Sequence, residues 1–126
     1  MTLQDDLTTA AAKGNTAGVE AVLLKGADVN GKNQFGRTAL QVMMMGSSPV
    51  AQLLLQRGAN PNVADSSTGN TPLHDAAQTG FLETVRLLVE AGAEPRVKDN
   101  NNRLPADVAR QSGHTEVCAF LEALPH

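Results

Sequence analysis

The chain has 126 residues, a formal net charge of −3 and only three aromatic side chains, all phenylalanine. This length fits one domain, and the scarcity of aromatic rings argues against a globule packed on large side chains. The mild negative charge, without a run of Lys or Arg, argues against a nucleic-acid or anionic-membrane surface. The acidic start MTLQDDLTT is not a signal peptide, and no aliphatic run is long enough to span a bilayer. The lone Cys118 allows no internal disulfide and fits a reducing compartment, so we expect a cytoplasmic and nuclear protein.

A segment of about 33 residues recurs along the chain. Gly-Ala pairs begin at Gly26, Gly58 and Gly92, so their spacings are 32 and 34 residues. A repeat array buries a thin core between successive copies and needs few aromatic residues. The sequence therefore predicts an all-α single domain over residues 1–126, a solenoid of four helix-turn-helix repeats at about 3–32, 33–64, 65–98 and 99–126.

The first helix of copy two is irregular. Thr38, with Gln41 three residues later, has the form of a capping box and predicts a sound start. Gly46 follows Leu40 after six positions, where copy three has seven from Leu to Gly. We therefore predict a helix that is one residue short, either a single turn or 3₁₀-like.

Three methionines, Met43, Met44 and Met45, replace the paired alanines of the other copies in this short helix. Methionine is bulky and adaptable, whereas paired alanines let neighbouring helices approach closely. At least one methionine is expected to fill the core and one to face a partner. Either the array tolerates sequence drift here, or copy two presents a reshaped binding surface.

Copy three is the most regular. Thr71 is expected to cap its first helix, with Pro72 at the first helical position, and Gly80 to end it in a left-handed turn. The loop from Asp65 to Asn70 is predicted to be hairpin-like and one residue longer than its equivalent in copy two. The side chains expected to face inward from the two helices are Leu73, Ala76, Ala77, Leu82, Val85, Leu88 and Val89.

No residue pattern indicates catalysis or a cofactor. His74 is predicted to hydrogen-bond loop backbone between repeats. His114 and Cys118 stand four residues apart, as two metal ligands on a helix would, but two ligands do not make a zinc site. Ser47 and Ser48 have no base or oxyanion partner. We therefore predict no enzyme activity, no cofactor and no metal.

The segment TPLHDAA, with a glycine three residues later, resembles the ankyrin repeat. Three further segments resemble the ankyrin-repeat inhibitors of cyclin-dependent kinases 4 and 6: FGRTALQVMMMG (35–46), LLLQRGANPNVAD (53–65) and HDAAQTGFLETV (74–85). The four-repeat length is similar to that of the smaller members. Copy four stops without a Gly-Ala pair, as an end cap would, and with Met1 this argues against a fragment of a larger ankyrin protein.

The resemblance implies a function. In that family, repeats two and three clamp the side of the kinase opposite the catalytic cleft, twist its lobes apart and weaken cyclin D binding. It implies a one-to-one complex with cyclin-dependent kinase 4 or 6, a monomer when free, and no nucleic acid or membrane partner. The kinase-binding residues that it implies are Asp75, Asp65, Asn33, Phe35, Gln41, Met43, Met44, Phe81 and Glu83.

Several of these residues have a second interpretation. Asp75 would pair with a kinase arginine, or it gains only from the helix dipole. Turn chemistry alone could explain Asp65, and Phe35 and Phe81 could pack inside. The chain also departs from the family, with Thr71 where better-known members have an arginine and Ala17-Gly18 where acidic residues often stand. A general ankyrin adaptor with an unrelated partner is the alternative function.

Overall fold

The computed structural model describes residues 2–125; Met1 and His126, which the predicted domain includes, lie outside the described residues. The chain divides into two compact units, Met1–Asn60 and Pro61–His126. The described residues form eight helices and no strand, which confirms the predicted all-α class. Among them, no helix is both long and apolar enough to cross a membrane. The single domain with its four repeat boundaries stays a prediction.

The first unit contains two helix pairs. Its helices are α1 (Leu3–Ala12), α2 (Thr16–Leu24), α3 (Ala39–Val42) and α4 (Ser48–Gln56). Helix α1 packs against α2 and α3, and α4 packs against the same two helices. The fully buried side chains at its centre are Leu7, Ala11, Val19, Ala39, Val50, Ala51 and Leu54. Small alanines where α1 meets α3 let these short helices approach closely, so a thin core suffices.

The second unit repeats this arrangement. Its helices are α5 (Pro72–Thr79), α6 (Leu82–Glu90), α7 (Pro105–Gln111) and α8 (Thr115–Glu122). Helix α5 packs against α6 and α7, and α8 packs against α6 and α7. The predicted inward face is confirmed for Leu73, Ala76, Ala77, Val85 and Leu88, which are fully buried, whereas Leu82 and Val89 are only half-buried.

Helix α5 begins and ends where the sequence predicts. The hydroxyl of Thr71 accepts the His74 N–H, and Pro72 occupies the first helical position, where a missing N–H removes no intrahelical bond. Gly80 adopts a left-handed conformation (φ 81°) and its N–H donates to the Ala76 carbonyl. Its lack of a Cβ makes that turn accessible without strain.

Three loops close by equivalent backbone hydrogen bonds, and in copy four the Asp99 N–H donates to the Arg103 carbonyl (3.0 Å). Asn33 N–H donates to the Arg37 carbonyl (2.9 Å) in copy two. Asp65 N–H donates to the Asn70 carbonyl (2.8 Å) in copy three, which spans one residue more. The predicted hairpin-like loop of copy three, with its additional residue, is thus confirmed.

Helix α3 is shorter than predicted. It has four residues, against eight in α5, so the prediction of a helix only one residue short is wrong, although the expected single turn is confirmed. After Val42 the backbone turns extended at Met43 (φ −58°, ψ 154°). Met44 N–H then donates to the Ala11 carbonyl of α1 (3.0 Å) and not to a carbonyl of its own helix. Copy two, which is one residue shorter than copy three here, therefore lacks the whole second turn of this helix. The Met44 N–H bonds to α1 where a second turn would have formed its own hydrogen bonds.

Candidate partner-binding residues

Phe35 lies at the tip of the copy-two loop with 72% of its surface exposed. The loop is ordered around Asn33, whose Oδ1 accepts the N–H groups of Phe35 (2.9 Å) and Arg37 (3.1 Å). Such an exposure is incompatible with a core role for the ring. A large aromatic ring presented by a hydrogen-bonded loop is the kind of anchor that protein interfaces use.

Helix α1 holds the same loop from the other side. Asn33 Nδ2 donates to Thr8 Oγ1 (3.2 Å), and the Gln34 N–H donates to Asp5 Oδ1 (3.2 Å). The Gln34 N–H is the main reason that the pKa of Asp5 lies below its ordinary value, and the Thr2 hydroxyl adds to it. Both ends of the Asn33 amide are therefore engaged inside the first unit, where they support the loop that carries Phe35.

The three methionines are divided between core and surface. Met43 and Met45 are buried, at 4% and 8% exposure, while Met44 is 49% exposed. This confirms that methionine fills the core, and only Met44 among them presents a large apolar surface to solvent; that this side chain faces a partner stays a prediction. Gln41 is half-buried, and its Oε1 accepts the Thr38 N–H (2.7 Å) in the predicted capping box. The other end of that side chain, its amide nitrogen, is the part with donors suited to a partner.

Two aspartates of copy three lie at the loop and at the following helix. Asp65 Oδ1 accepts the N–H groups of Ser67 (2.7 Å) and Thr68 (3.2 Å), so this carboxylate shapes the loop. Asp75 is half-buried in the first turn of α5, where the helix dipole favours a negative charge. Loop geometry therefore accounts for Asp65, whereas Asp75 places its negative charge at the N-terminal end of α5.

Phe81 stands at the N-cap of α6 and makes no capping hydrogen bond. At the corresponding positions in the first unit, Asn15 Oδ1 accepts the Gly18 N–H (3.0 Å) and Ser47 Oγ accepts the Val50 N–H (3.4 Å). Phe81 instead presents a ring that is 47% exposed. The chain thus forgoes a stabilising cap here and keeps an exposed aromatic side chain. Glu83 is exposed in the first turn of the same helix.

His74, His114 and Cys118 have structural contacts. His74 is buried; its Nδ1 accepts the Thr71 N–H (3.1 Å), which leaves Nε2 to donate to the Arg103 carbonyl (2.8 Å). This confirms its predicted bond to loop backbone. His114 Nε2 pairs with the Gln78 carbonyl (3.0 Å). Burial, together with a hydrogen bond to Glu122, raises the pKa of the Cys118 thiol. Among residues 2–125, no group of three potential ligands is arranged to hold a metal ion.

Asp99 stabilises the copy-four loop electrostatically. Its side chain is fully buried, and Oδ2 pairs with Arg103 Nε at 2.9 Å. Burial alone would raise the pKa of this carboxyl, but the backbone N–H of Arg103, its guanidinium and the N–H of Asn101 outweigh it. The net pKa is therefore lowered, and the carboxylate stays charged where it closes the loop.

The paired short helices, capped turns and hydrogen-bonded loops define an ankyrin-repeat protein. The family model described as ankyrin repeats (3 copies) matches residues 7–99 and 68–123. Cyclin-dependent kinase 4 inhibitor B is 51% identical in human (93% of this chain, 85% of that protein) and 50% identical in rat (93% and 90%). Human cyclin-dependent kinase inhibitor 2A is 50% identical over 94% of this chain and 76% of its own. The chain belongs to the ankyrin-repeat cyclin-dependent kinase inhibitor 2 family.

Proposed function

We propose that this protein inhibits cyclin-dependent kinases 4 and 6 and thereby restrains entry into the cell cycle. The observation that carries the proposal is the identity of about one half, over more than nine-tenths of the chain, with proteins named as inhibitors of cyclin-dependent kinases. The shortened helix α3, which ends just before three consecutive methionines, supports it, since an array that served only as a scaffold would gain nothing from losing a helical turn.

In copy two, the proposed contacts come from side chains that are at least partly exposed to solvent. Phe35 and Met44 supply apolar surface, and the amide nitrogen of Gln41 supplies donors. Asn33 and Met43 act beneath them, because Asn33 fixes the loop and Met43 is buried. Their substitution is expected to weaken binding through the conformation of copy two.

In copy three, the proposed contacts combine charge with one aromatic ring. Asp75 pairs with a kinase arginine, and Glu83 adds a charge at the rim. Phe81 supplies the apolar anchor. Asp65 acts mainly by shaping the loop that precedes α5.

The proposed mechanism needs no chemical step. Binding of one inhibitor to one kinase distorts the kinase and opposes its activation by cyclin D, so the protein acts stoichiometrically and not as an enzyme. We propose that it is a monomer when free and that it works in the cytoplasm and the nucleus. A general ankyrin adaptor is the competing function, and it predicts no preference for these kinases.

The test is a binding titration with purified cyclin-dependent kinases 4 and 6, with a cell-cycle kinase that does not pair with cyclin D as the specificity control. Saturable one-to-one binding to the first two kinases alone is expected. Asp75→Asn keeps the shape of the side chain and removes its charge, so binding should weaken at least about tenfold. Glu90→Gln, at the exposed last residue of α6, is the matched control and should leave binding unchanged. Absent binding to these kinases, or equal binding to all kinases, would favour the adaptor function.

A further inference from the structure

Met44 lies directly against Gly14, thirty residues earlier in the chain. A Cβ atom placed on Gly14 would lie 3.0 Å from Met44 Sδ and 3.6 Å from Met44 Cβ. The first distance is shorter than an ordinary contact between carbon and sulfur. A side chain on residue 14 would therefore require the thioether of Met44 to shift by a few tenths of an ångström.

The backbone brings these two residues together. The Ala11 carbonyl, in the last turn of α1, accepts both the Gly14 N–H (3.1 Å) and the Met44 N–H (3.0 Å). Carbonyls of a last helical turn have no donor within their own helix, so such partners are favourable. The early end of α3 frees the Met44 N–H for this bond, and one carbonyl thus fixes both backbones.

The glycine that ends the first helix of the second unit has a different neighbour. At the end of α5, a Cβ on Gly80 would overlap the imidazole of His114, the N-cap residue of α8. The N-cap residue of α4 is Ser47, whose Cβ lies 3.6 Å from the same constructed position on Gly14. Serine is much smaller than histidine and leaves space over Gly14, which the thioether of Met44 fills.

We infer that Gly14 is a positioning residue for partner binding. Because residue 14 has no side chain, the Met44 side chain packs against it, while about half of the Met44 surface stays exposed to solvent. This inference rests on the proposed function, because Met44 is a proposed kinase contact. Methionine has three rotatable bonds and loses much freedom on binding. The contact with Gly14 already restricts these rotations in the free protein, so less conformational entropy is lost on binding and the affinity is higher. Gly14 itself touches no partner.

The experiment compares Gly14→Asn with Gly113→Asn. Both glycines are left-handed (φ 69° and 79°), and apart from its two chain neighbours Gly113 has no atom within 4 Å of a constructed Cβ. Asparagine tolerates this backbone conformation, which Asn102 already adopts in this chain (φ 62°). The two variants therefore share the conformational change, and only the first one meets Met44.

Two measurements are made on both variants. In the free protein, with methionine labelled by ¹³C at its methyl group, the Met44 methyl resonance should move in Gly14→Asn and stay in place in Gly113→Asn. In titrations with cyclin-dependent kinase 6, the Kd should rise about fivefold for Gly14→Asn and less than about twofold for Gly113→Asn.

Equal effects of the two variants on Kd would overturn the inference, and so would an unmoved Met44 methyl in Gly14→Asn. If the wild-type protein binds neither kinase, the proposed function fails, and the role of Gly14 in binding fails with it. In that case the methyl resonance still reports whether Gly14 seats Met44. If only the positioning role of Gly14 is wrong, the wild-type protein still binds the kinases, so the two failures are distinguishable.

Discussion

Phe81→Asn should weaken kinase binding while leaving the stability of the protein nearly unchanged. Asparagine is among the best N-cap residues, and Asn15 already fills this role for α2. A new cap for α6 should stabilise the fold by about 1 kcal/mol. Removing the ring loses roughly half of the ~1.5–3 kcal/mol that full burial of phenylalanine contributes, because Phe81 is 47% exposed. The two effects nearly cancel.

Binding should respond quite differently. A buried aromatic anchor at an interface typically contributes about 2 kcal/mol or more, which corresponds to a Kd about thirtyfold higher after its removal. The assay pairs a calorimetric titration with cyclin-dependent kinase 6 and urea unfolding of the free protein. The expected result is a higher Kd with an unchanged unfolding free energy, because substituting a core residue would change both quantities.

Leu24→Gln is the matched control. Leu24 is the last residue of α2, is 75% exposed and is not among the proposed contacts. Its replacement removes an apolar side chain that is more exposed than Phe81, so binding should stay within about twofold of wild type. An unchanged Kd for Phe81→Asn would refute the anchor. A loss of more than about 2 kcal/mol in unfolding free energy would show instead that the ring belongs to the core.

His74→Ala should lower the unfolding free energy by about 2–4 kcal/mol, because it leaves the Arg103 carbonyl and the Thr71 N–H without their buried partner. A loss below about 1 kcal/mol in urea unfolding would contradict this role. Asp99→Asn should reduce the acid sensitivity of folding. The pKa of Asp99 is lowered from 3.8, so its charged form contributes stability above that pH, which is lost as the pH falls through the folded value. The unfolding free energy is measured by urea unfolding at a series of pH values between pH 6 and pH 3. An equal dependence of this free energy on pH in variant and wild type would refute the reasoning.

Features that depend on neighbours along the chain could be predicted from the sequence. The period of about 33 residues, the caps at Thr38 and Thr71 and the left-handed turn at Gly80 follow from local rules, and all three helix features are present. The additional residue of the copy-three loop was also readable, since counting positions between equivalent residues suffices. Such features need no knowledge of which helices touch.

The conformation that copy two adopts around its missing residue depends on contacts between helices. A one-residue deletion could have produced a slightly shorter helix, and the bond from Met44 N–H to the Ala11 carbonyl is what replaces the whole second turn. The same bond determines which methionine faces solvent and places Met44 over Gly14. These partners lie about thirty residues apart, beyond the reach of helical periodicity. Their pairing depends on the packing of α3 against α1, and no local pattern in the sequence specifies it.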